Sequence, residues 1–461
     1  MFVGREREIR DWSERWDAAG PQLIVLYGRR RIGKTALARE FARGRNAVFY
    51  TGGPVREVDN LRGVAETMSL SGIRFESWDA ALTALLARAA GERLLVVLDE
   101  YPAMAAASPD LGAVLQRWWD IHGCGSRLFV VLSGSSLGFM EREVLSHASP
   151  LFGRRTGSVR LQPLEPWEIA PFLPGASVAD LLTAYGLFGG VPAYLERLLQ
   201  SGGMLPFLRK EAFSPGGFLF EEVPFLVNTE LREPATYLSI LSALAGGSTR
   251  LTEVADRCLL PVTSVNRYVT TLIELGLARR SVPFFERAPD KARKGLYSAS
   301  DPWVRFWCSF VLPARSVIEA GHGHRHMEER VLPGLAAWMG RAFEEACLRY
   351  VESRWGQEGG PYALRVGRQW QKERDATLTE VDLVAELSDG SYLVGECKST
   401  GSRVGRDVLE LLRRKAALLP IPPGRLVRPT VFSLFGFTRD LRSAAAHTGV
   451  VLVTGEEVFG R

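Results

Sequence analysis

The chain has 461 residues, which at about 100–200 residues per domain predicts roughly three domains and excludes a single small module. Hydrophobic residues make up 46% of the sequence and charged residues 24%, so wholesale disorder, a collagen-like repeat and a long coiled coil are excluded. The formal net charge of +5 permits nucleic-acid binding but does not require it.

The sequence predicts a cytoplasmic protein that does not enter a membrane. Apolar stretches such as Leu94–Leu98 and Leu128–Leu132 are far shorter than the roughly 20 residues of a membrane-spanning helix. The first residues lack the apolar core of a signal peptide. The cysteines, at positions 124, 258, 308, 347 and 397, are odd in number and form no CxxC pair, which favours reduced thiols.

The first third of the chain alternates apolar runs with helix-forming segments. Four runs have the length and composition of parallel strands covered on both faces: Gln22–Tyr27, Ala47–Tyr50, Leu94–Leu98 and Leu128–Leu132. The segments Thr35–Ala42 and Asp79–Ala90 between them are helical in composition. We therefore predict a doubly wound α/β core over residues 1–165.

Two smaller units are expected next. Residues 166–230 contain helical segments, Leu181–Leu187 and Ala193–Leu199, separated by glycine and proline, and predict a helical lid. Residues 231–312 contain three helical segments and two short strands around a basic loop, which is the pattern of a winged helix. Residues 313–333 are interpreted as a linker.

The last part, residues 334–461, is predicted to be a C-terminal α/β domain. Its expected elements are a helix, a hairpin, a second helix and two late strands: Leu335–Tyr350, Val381–Lys398, Asp407–Leu419, Arg428–Phe432 and Gly449–Val453.

A phosphate-binding loop follows the first strand. The segment Gly28-Arg29-Arg30-Arg31-Ile32-Gly33-Lys34-Thr35 matches GxxxxGK[ST] at every specified position, and Ala36 continues into a helix. The glycines let backbone N–H groups converge on phosphate oxygens at a helix N-terminus. Lys34 is expected to reach the β- and γ-phosphates, and Thr35 to ligate Mg²⁺. The alternative is a chance glycine-rich turn.

Acidic residues end a later strand of the same core. Asp99 follows Leu94–Leu98, where a carboxylate can hold Mg²⁺, and Glu100 is placed to orient or deprotonate the attacking water. Asp99 as a helix N-cap is the alternative. Ser133 ends the next strand and is expected to sense the γ-phosphate, with a plain turn residue as the alternative.

These motifs resemble the archaeal-type ATPases of the STAND group, within the AAA+-like P-loop proteins. The resemblance covers nearly the whole chain and is carried by the following segments: Phe2-Val3-Gly4-Arg5-Glu6, the phosphate-binding loop, Leu98-Asp99-Glu100-Tyr101-Pro102, Leu132-Ser133-Gly134-Ser135-Ser136, Leu151-Phe152-Gly153-Arg154-Arg155-Thr156-Gly157 and Gly189-Gly190-Val191-Pro192-Ala193-Tyr194. It implies ATP or ADP as ligand between the core and the helical lid.

The resemblance also implies roles for residues outside the loop. Val3, Gly4 and Arg5 would lie near the adenine, and Pro192 would contact the nucleotide from the lid. Arg154 or Arg155 would act on the γ-phosphate, and action on a neighbouring copy would require a homo-oligomer. The alternative for these two arginines is a solvated basic turn.

The winged helix suggests a DNA contact. Its third helix, Thr263–Leu275, carries Ser264, Asn266, Arg267 and Thr270 on a polar side. Further basic residues lie in or near the wing: Arg279, Arg280, Arg287, Lys291, Arg293 and Lys294. Winged helices are also common protein-interaction modules, so the fold alone does not decide between these roles.

The C-terminal hairpin carries a second candidate site. Centring it on Asp389 places Asp382 opposite Glu396 and Glu380 opposite Lys398 on one sheet face. Carboxylates opposed at about 5 Å repel each other unless a cation lies between them, so Asp382 and Glu396 are candidate metal ligands and Lys398 is placed to orient or activate water.

This hairpin resembles the D…ExK motif of PD-(D/E)xK nucleases, and the resemblance adds Glu344 on the preceding helix. A surface hairpin with ion pairs is the alternative. Two functions follow: an ATPase that controls metal-dependent cleavage or processing of DNA through Glu344, Asp382, Glu396 and Lys398, or a STAND-type switch whose C-terminal domain binds a partner or DNA without cutting.

Overall fold

A computed structural model describes residues 2–18, 20–70, 72–123, 125–289, 292, 295–357, 359–372 and 378–461. The chain divides into two units, one of Met1–Pro163 with Val191–Ala193 and the other of Leu164–Gly190 with Tyr194–Arg461. Within the described ranges, no helix combines the length and apolarity of a membrane span.

The first unit is built on a five-stranded parallel sheet. Its strands are β1 (Gln22–Tyr27), β2 (Ala47–Thr51), β3 (Leu94–Asp99), β4 (Leu128–Gly134) and β5 (Gly157–Arg160). They are arranged in the order β2-β3-β4-β1-β5 and all neighbours are parallel. Its helices are α1 (Glu6–Asp17), α2 (Lys34–Ala42), α3 (Glu57–Thr67), α4 (Trp78–Arg88), α5 (Tyr101–Ala107), α6 (Leu111–Trp118) and α7 (Leu137–Phe139), with π-helical turns at Trp119–Gly123 and Met140–Leu145.

The sheet has an apolar core on each face, which confirms the predicted parallel α/β architecture. Val96 of β3 packs in the same cluster as Trp118, whereas its neighbour Val97 packs with Trp12. Strands covered on both faces need continuous apolar runs, and β3 and β4 have them. Strand β5 was not predicted because Gly157–Arg160 is short and only alternate residues are partly covered.

The second unit begins with helices, in the range that the sequence predicted to be a helical lid. They are α8 (Val178–Phe188), α9 (Pro192–Gln200), α10 (Met204–Glu211) and α11 (Phe218–Glu230), preceded by short 3₁₀ turns at Pro166–Glu168 and Ala170–Phe172. The winged-helix region follows with α12 (Pro234–Ala245), α13 (Leu251–Cys258), α14 (Val262–Glu274) and the two-stranded antiparallel wing of β6 (Ala278–Ser281) and β7 (Leu296–Ala299). This winged helix was predicted from the sequence and is confirmed.

Residues 313–333 differ from the expected linker because they are helical. The helical stretch begins before this range, with α15 (Pro302–Phe306) and Trp307–Val311. It continues through Leu312–Ala314, α16 (Arg315–Val317), Ile318–His322, α17 (Gly323–His326), Met327–Val331 and Leu332–Gly334. Ile318, Met327 and Val331 are fully buried. The helices are too short and too often interrupted for a clear helical period in the sequence.

The C-terminal domain packs helices on a mixed five-stranded sheet. Its elements are α18 (Leu335–Ser353), β8 (Ala363–Lys372), β9 (Leu378–Leu387), β10 (Tyr392–Lys398), α19 (Arg406–Ala417), β11 (Val427–Ser433), α20 (Arg439–Ala446), β12 (Val451–Thr454) and α21 (Gly455–Val458). The order is β12-β11-β10-β9-β8. Strands β8 to β10 are antiparallel neighbours, and β10 to β12 are parallel ones.

The β9–β10 hairpin has the predicted register as far as the pair Leu383–Gly395. At its turn Gly390 has φ +78°, the left-handed conformation that favours glycine. The ladder ends beyond Leu383–Gly395. There the carboxylate of Asp382 accepts a hydrogen bond from the backbone N–H of Cys397 at 2.9 Å, so a side chain replaces the next backbone pairing.

A β-bulge in β9 corrects the expectation that four charged residues share one face. The register with β8 shifts between the pairs Gly367–Val384 and Gln369–Val381, so β9 holds one extra residue there. Val381 therefore packs in the same cluster as Val384. Because side chains alternate along a strand, Glu380 lies on the face opposite Val381.

The wing of the winged helix is docked on the C-terminal sheet. The backbone N–H of Phe284 donates to the carbonyl of Arg368 on β8 at 2.8 Å. Phe284 is 5% exposed and belongs to the same core as the sheet residue Tyr392. The Phe285 ring also lies 6.0 Å from the Tyr392 ring. The winged helix and the sheet thus share one apolar core.

This docking predicts a large stability effect of one wing residue. We expect Phe284→Ala to lower the free energy of unfolding of the second unit by about 3 kcal/mol, because it empties a buried aromatic site. Phe435→Ala is the matched control, since Phe435 is 43% exposed. Chemical denaturation would compare the two variants, and equal losses would show that the wing does not contribute to this core.

Candidate functional site

The phosphate-binding loop joins β1 to α2 with the backbone geometry that its glycines allow. Gly28, Arg31 and Gly33 have φ values of +152°, +71° and +94°. A Cβ on Gly28 would lie 2.6 Å from the carbonyl oxygen of Leu161, so no larger residue fits there. Gly33 is the N-cap of α2, which aims the first free N–H groups of that helix at the loop.

Lys34 closes this loop from inside. Its side chain is 5% exposed, and its ammonium donates to the carbonyl oxygens of Gly28 and Arg29, each at 2.9 Å. Carbonyl oxygens are neutral acceptors, and they bind an ammonium less strongly than charged oxygens do. Phosphate oxygens offered at the same place would make stronger, charge-assisted bonds.

The side chains of Thr35 and Asp99 are in contact, although β1, which leads to the loop, and β3, which ends at Asp99, are not neighbours in the sheet. The Thr35 hydroxyl donates to the carboxylate of Asp99 at 2.7 Å, and Asp99 is 2% exposed. Strand β4 lies between β1 and β3, and helix α2 reaches across it. The hydroxyl and carboxylate oxygens are the donors that Mg²⁺ prefers, so these residues fit the predicted metal site.

Glu100 is held by a residue that the sequence analysis did not select. Its φ is +53°, an uncommon backbone conformation for a residue other than glycine. Its carboxylate accepts hydrogen bonds from the Ser135 hydroxyl at 2.8 and 3.1 Å. Ser133, the predicted sensor, is fully buried, and in the described part of the chain its hydroxyl has no hydrogen-bond partner. Only the run Ser133-Gly134-Ser135-Ser136 after β4 pointed to this region.

The N-terminal segment lies against the loop through Arg5. This guanidinium is 6% exposed and donates to the carbonyl oxygens of Ile32 at 3.1 Å and Gln162 at 2.7 Å. Val3 and Gly4 precede it and are partly or fully buried. Pro192, the expected lid contact, lies 3.9 Å from where a Cβ of Gly33 would be.

The two arginines expected near the γ-phosphate have different surroundings. Arg154 forms a two-pronged ion pair with Asp120, at 3.0 and 2.9 Å. Arg155 donates to the carbonyl of Leu145 at 3.1 Å and lies near Tyr27, the residue before the loop. Burial raises the pKa of Tyr27, while Arg160 and Arg155 lower it. Arg154 is thus paired with Asp120, whereas Arg155 lies near the residue that precedes the loop.

The C-terminal site brings Asp382, Glu396 and Lys398 together and adds Lys415. Glu396 is 2% exposed, and its two oxygens accept hydrogen bonds from Lys398 at 2.8 Å and Lys415 at 2.7 Å. Burial and the charge of Glu396 raise the pKa of Asp382 to about 6. Lys415 was missed because it lies on α19, outside the hairpin motif.

Glu344 lies beside this group but has its own partner. Its carboxylate pairs with Arg368 of β8 at 2.9 Å, and burial raises its pKa while Arg368 lowers it. Among the residues that the structure describes, no three His, Cys, Asp or Glu side chains form a metal-binding group. Asp382 and Glu396 fit as two metal donors, whereas Glu344 does not join them.

The winged helix presents an exposed polar surface. Asn266, Arg267 and Thr270 of α14 are exposed. The two wing-strand arginines are otherwise engaged: Arg279 pairs with Glu345 at 2.5 Å, and Arg280 donates to the carbonyls of its own wing. Arg287 is exposed, whereas the predicted wing residues Lys291, Arg293 and Lys294 lie outside the described residues.

The loop, the acidic strand and the sheet order define this protein as a P-loop NTPase. The profile of the family described as "ATPase domain predominantly from Archaea" matches residues 2–198. A relative from Methanocaldococcus jannaschii, "Uncharacterized protein MJECL04", is 31% identical over 431 residues, covering 91% of this chain and 92% of the relative. The chain belongs to the same family as this protein, and its first part is an archaeal-type ATPase domain.

Further comparisons cover parts of the chain. The "Uncharacterized ATP-binding protein MJ0423" of the same organism is 46% identical over 41 residues, 9% of this chain and 70% of the relative. The solved "walker-type atpase paby2304 of pyrococcus abyssi" aligns with a TM-score of 0.51 at 18% identity, covering 66% of this chain and 95% of that chain, which shows a shared fold.

Two further family matches cover the winged-helix region and part of the region that follows it. An "IclR helix-turn-helix domain" matches residues 237–281, in agreement with the winged helix. "Archaea bacterial proteins of unknown function" match residues 307–408, a range that starts before the expected linker and ends inside the C-terminal domain. The nuclease-like interpretation of that domain stays a prediction.

The contact between Thr35 and Asp99 predicts a metal-specific effect of Thr35→Val. We expect Mg²⁺-dependent binding of ATP to weaken by about ten- to hundredfold, because the variant removes the hydroxyl oxygen that would ligate Mg²⁺ beside Asp99. Titration of a fluorescent ATP analogue with and without Mg²⁺ would measure this. Thr83→Val is the control, since Thr83 is exposed on α4, and equal affinities in both variants would contradict a role for Thr35.

The raised pKa of Asp382 predicts a pH-dependent stability. A carboxyl group with a higher pKa in the folded state favours folding while protonated, so its contribution is lost as the pH rises from about 4 through about 6. Without metal, we expect Asp382→Asn to be more stable than the unmodified protein by on the order of 2 kcal/mol near neutral pH, and equally stable at about pH 4. Chemical denaturation in EDTA would measure this.

Asp389→Asn provides a control of opposite sign. Hydrogen bonds from Ser391, together with Arg428, hold the pKa of Asp389 at about 2, so this variant should lose stability near neutral pH. If Asp382→Asn is also destabilising near neutral pH, the carboxylates of Asp382 and Glu396 do not repel each other as the structure indicates.

Proposed function

We propose that this protein couples its ATP state to metal-dependent cleavage or processing of DNA by its C-terminal sheet domain. The closeness of Asp382 and Glu396 beside Lys398, on a domain that follows a winged helix in the same unit, is the observation that carries this proposal. Hydrolysis of ATP itself is the activity expected of the archaeal-type ATPase family.

In the proposed nucleotide site, the side chains around the phosphate-binding loop have separate roles in binding and hydrolysing ATP. Lys34 binds the β- and γ-phosphates in place of the loop carbonyls that it now contacts. Thr35 and Asp99 would hold Mg²⁺, which supplies charge to stabilise the transferring phosphoryl group. Glu100, oriented by Ser135, accepts a proton from or positions the attacking water. Arg155 is the arginine proposed to act on the γ-phosphate, within one chain or across a homo-oligomer.

The carboxylate pair is the part of the C-terminal site that favours metal chemistry. Two opposed carboxylates at a buried position cost stability unless cations lie beside them. In the structure the ammonium groups of Lys398 and Lys415 serve this purpose for Glu396. Asp382 and Glu396 would hold a divalent metal, and Lys398 would then orient the water or the scissile phosphate.

DNA would reach this domain through the winged helix. Its exposed Asn266 and Thr270 suit hydrogen bonds to base edges, and Arg267 suits a phosphate or a guanine. The wing strand residue Arg280 contributes less than the sequence suggested, because it donates to carbonyl oxygens of its own wing.

A second candidate function is a STAND-type switch that binds a partner or DNA without cutting it. The specific observation in its favour is that Glu396 is already neutralised by two lysines and Glu344 by Arg368. A site whose carboxylates are satisfied internally can serve as a structural ion network without a metal.

Cleavage of labelled single- and double-stranded DNA with Mg²⁺ or Mn²⁺, with and without ATP, separates the two functions. We expect Asp382→Asn and Glu396→Gln to reduce cleavage by about a hundredfold or more, because each variant weakens the hold on a metal that would supply several kcal/mol of charge stabilisation. We expect Lys34→Ala to remove the dependence of cleavage on ATP. Glu386→Gln is the matched control on β9, since Glu386 makes only a surface pair with Arg365 at 3.7 Å among the described residues.

Two results would contradict the cleavage hypothesis. One is the absence of cutting under every condition while ATP hydrolysis is intact, which would favour the non-cutting switch. The other is equal cleavage by Glu396→Gln and Glu386→Gln, which would mean that the activity comes from elsewhere.

A further inference from the structure

Four arginines from separate elements converge in the second unit. Arg279 comes from the wing strand β6, Arg305 from α15, Arg341 from α18 and Arg368 from β8. Each of Arg279, Arg341 and Arg368 lies within electrostatic range of Arg305. The chain thus gathers four positive charges from segments that are far apart in sequence.

The carboxylates nearby do not balance this charge. Glu345 pairs with Arg279 at 2.5 Å and with Arg368 at 4.0 Å, and Glu344 pairs with Arg368 at 2.9 Å. Two carboxylates therefore face four guanidinium groups. In the described part of the chain, neither Arg305 nor Arg341 has a carboxylate within ion-pair distance.

Donor groups remain unused in this cluster. The Nε atoms of Arg279 and Arg305 and one terminal nitrogen of Arg368 are buried and have no hydrogen-bond partner among the described residues. Arg305 lies over the ring of Trp338 at 4.0 Å. Burial and the neighbouring arginines lower the pKa of Arg305 to about 9. An uncompensated buried cation of this kind is stabilised by an added anion.

The cluster adjoins the C-terminal candidate site. Glu344 interacts electrostatically with Arg341 and Arg368 of the cluster. It also interacts with Glu380 and Lys398 of the β9–β10 hairpin. Arg341 keeps an exposed side chain, so the cluster meets solvent at this residue. A phosphate bound here would lie next to the group formed by Asp382, Glu396 and Lys398.

We propose that Arg279, Arg305, Arg341 and Arg368 form a phosphate-binding site that takes a backbone phosphate of a nucleic-acid strand bound along the C-terminal sheet domain. Planar guanidinium groups match phosphate oxygens in pairs. The position beside the paired carboxylates and in the same unit as the exposed α14 favours a strand phosphate over a free one. The assignment of the occupant rests on the proposed action on DNA.

Binding of a labelled DNA duplex to the full chain in EDTA, followed by fluorescence anisotropy over a range of salt concentrations, tests this site without cleavage. We expect Arg341→Gln and Arg305→Met to weaken binding of two unrelated sequences equally and to reduce the slope of log affinity against log salt by about one each. Arg330→Gln removes the same charge from another exposed position and should leave the slope unchanged.

Competition by inorganic phosphate distinguishes the source of the ligand. Phosphate at millimolar concentration should displace the duplex from the unmodified protein more than equal ionic strength of chloride, and should lose this advantage in Arg341→Gln. Phosphate binding that depends on Arg341 without any duplex binding would overturn the nucleic-acid assignment and identify a free-phosphate site.

Failure of this site and failure of the cleavage hypothesis give different results. Slopes that match Arg330→Gln in both cluster variants would overturn the phosphate site, even if DNA is cut. A loss of slope in a protein that never cuts would support the phosphate site and reject cleavage. Arg341 is exposed, so Arg341→Gln keeps the test valid even if Arg305→Met fails to fold.

Discussion

The hydrogen bond between Thr35 and Asp99 is the constraint around which the first unit is arranged. It joins the start of α2 to the end of β3 at 2.7 Å, although β4 lies between the two strands that carry these segments. The first turn of α2 must therefore lie over the carboxyl ends of β3 and β4. Two contacts hold the loop in this position. Gly28 packs so closely on Leu161 that a Cβ would not fit, and the buried Arg5 donates to Ile32 and Gln162.

In the second unit, the main electrostatic constraint is the repulsion between the carboxylates of Asp382 and Glu396. Asp382 and Glu396 are close enough to disfavour each other's charge, and the chain compensates with the N–H of Cys397 and with two lysines. The bulge in β9 makes this possible, because it releases Asp382 from the regular ladder. A hairpin without the bulge would keep regular pairing at Asp382 and would not offer its carboxylate to a backbone amide.

Sequence alone predicted what is local and missed what depends on distant contacts. The phosphate-binding loop is one contiguous segment, and β1, β3 and β4 are continuous apolar runs, so both could be recognised. Ser135 and Lys415 act through partners far along the chain, and a bulge changes the alternation without any mark in the sequence. Residues 313–333 were taken as a linker because their burial depends on packing that no short helical period reveals.

The docked wing has a consequence for how the protein can be divided. Phe284 and Phe285 belong to the winged-helix segment, yet they pack on Tyr392 of the C-terminal sheet. A fragment that ends near residue 312, where the sequence placed a domain boundary, would leave these rings in water, and a fragment that begins there would lack the two rings in the core of its sheet. The winged helix and the C-terminal domain are thus inseparable in folding, and a rearranged gene would have to carry them together.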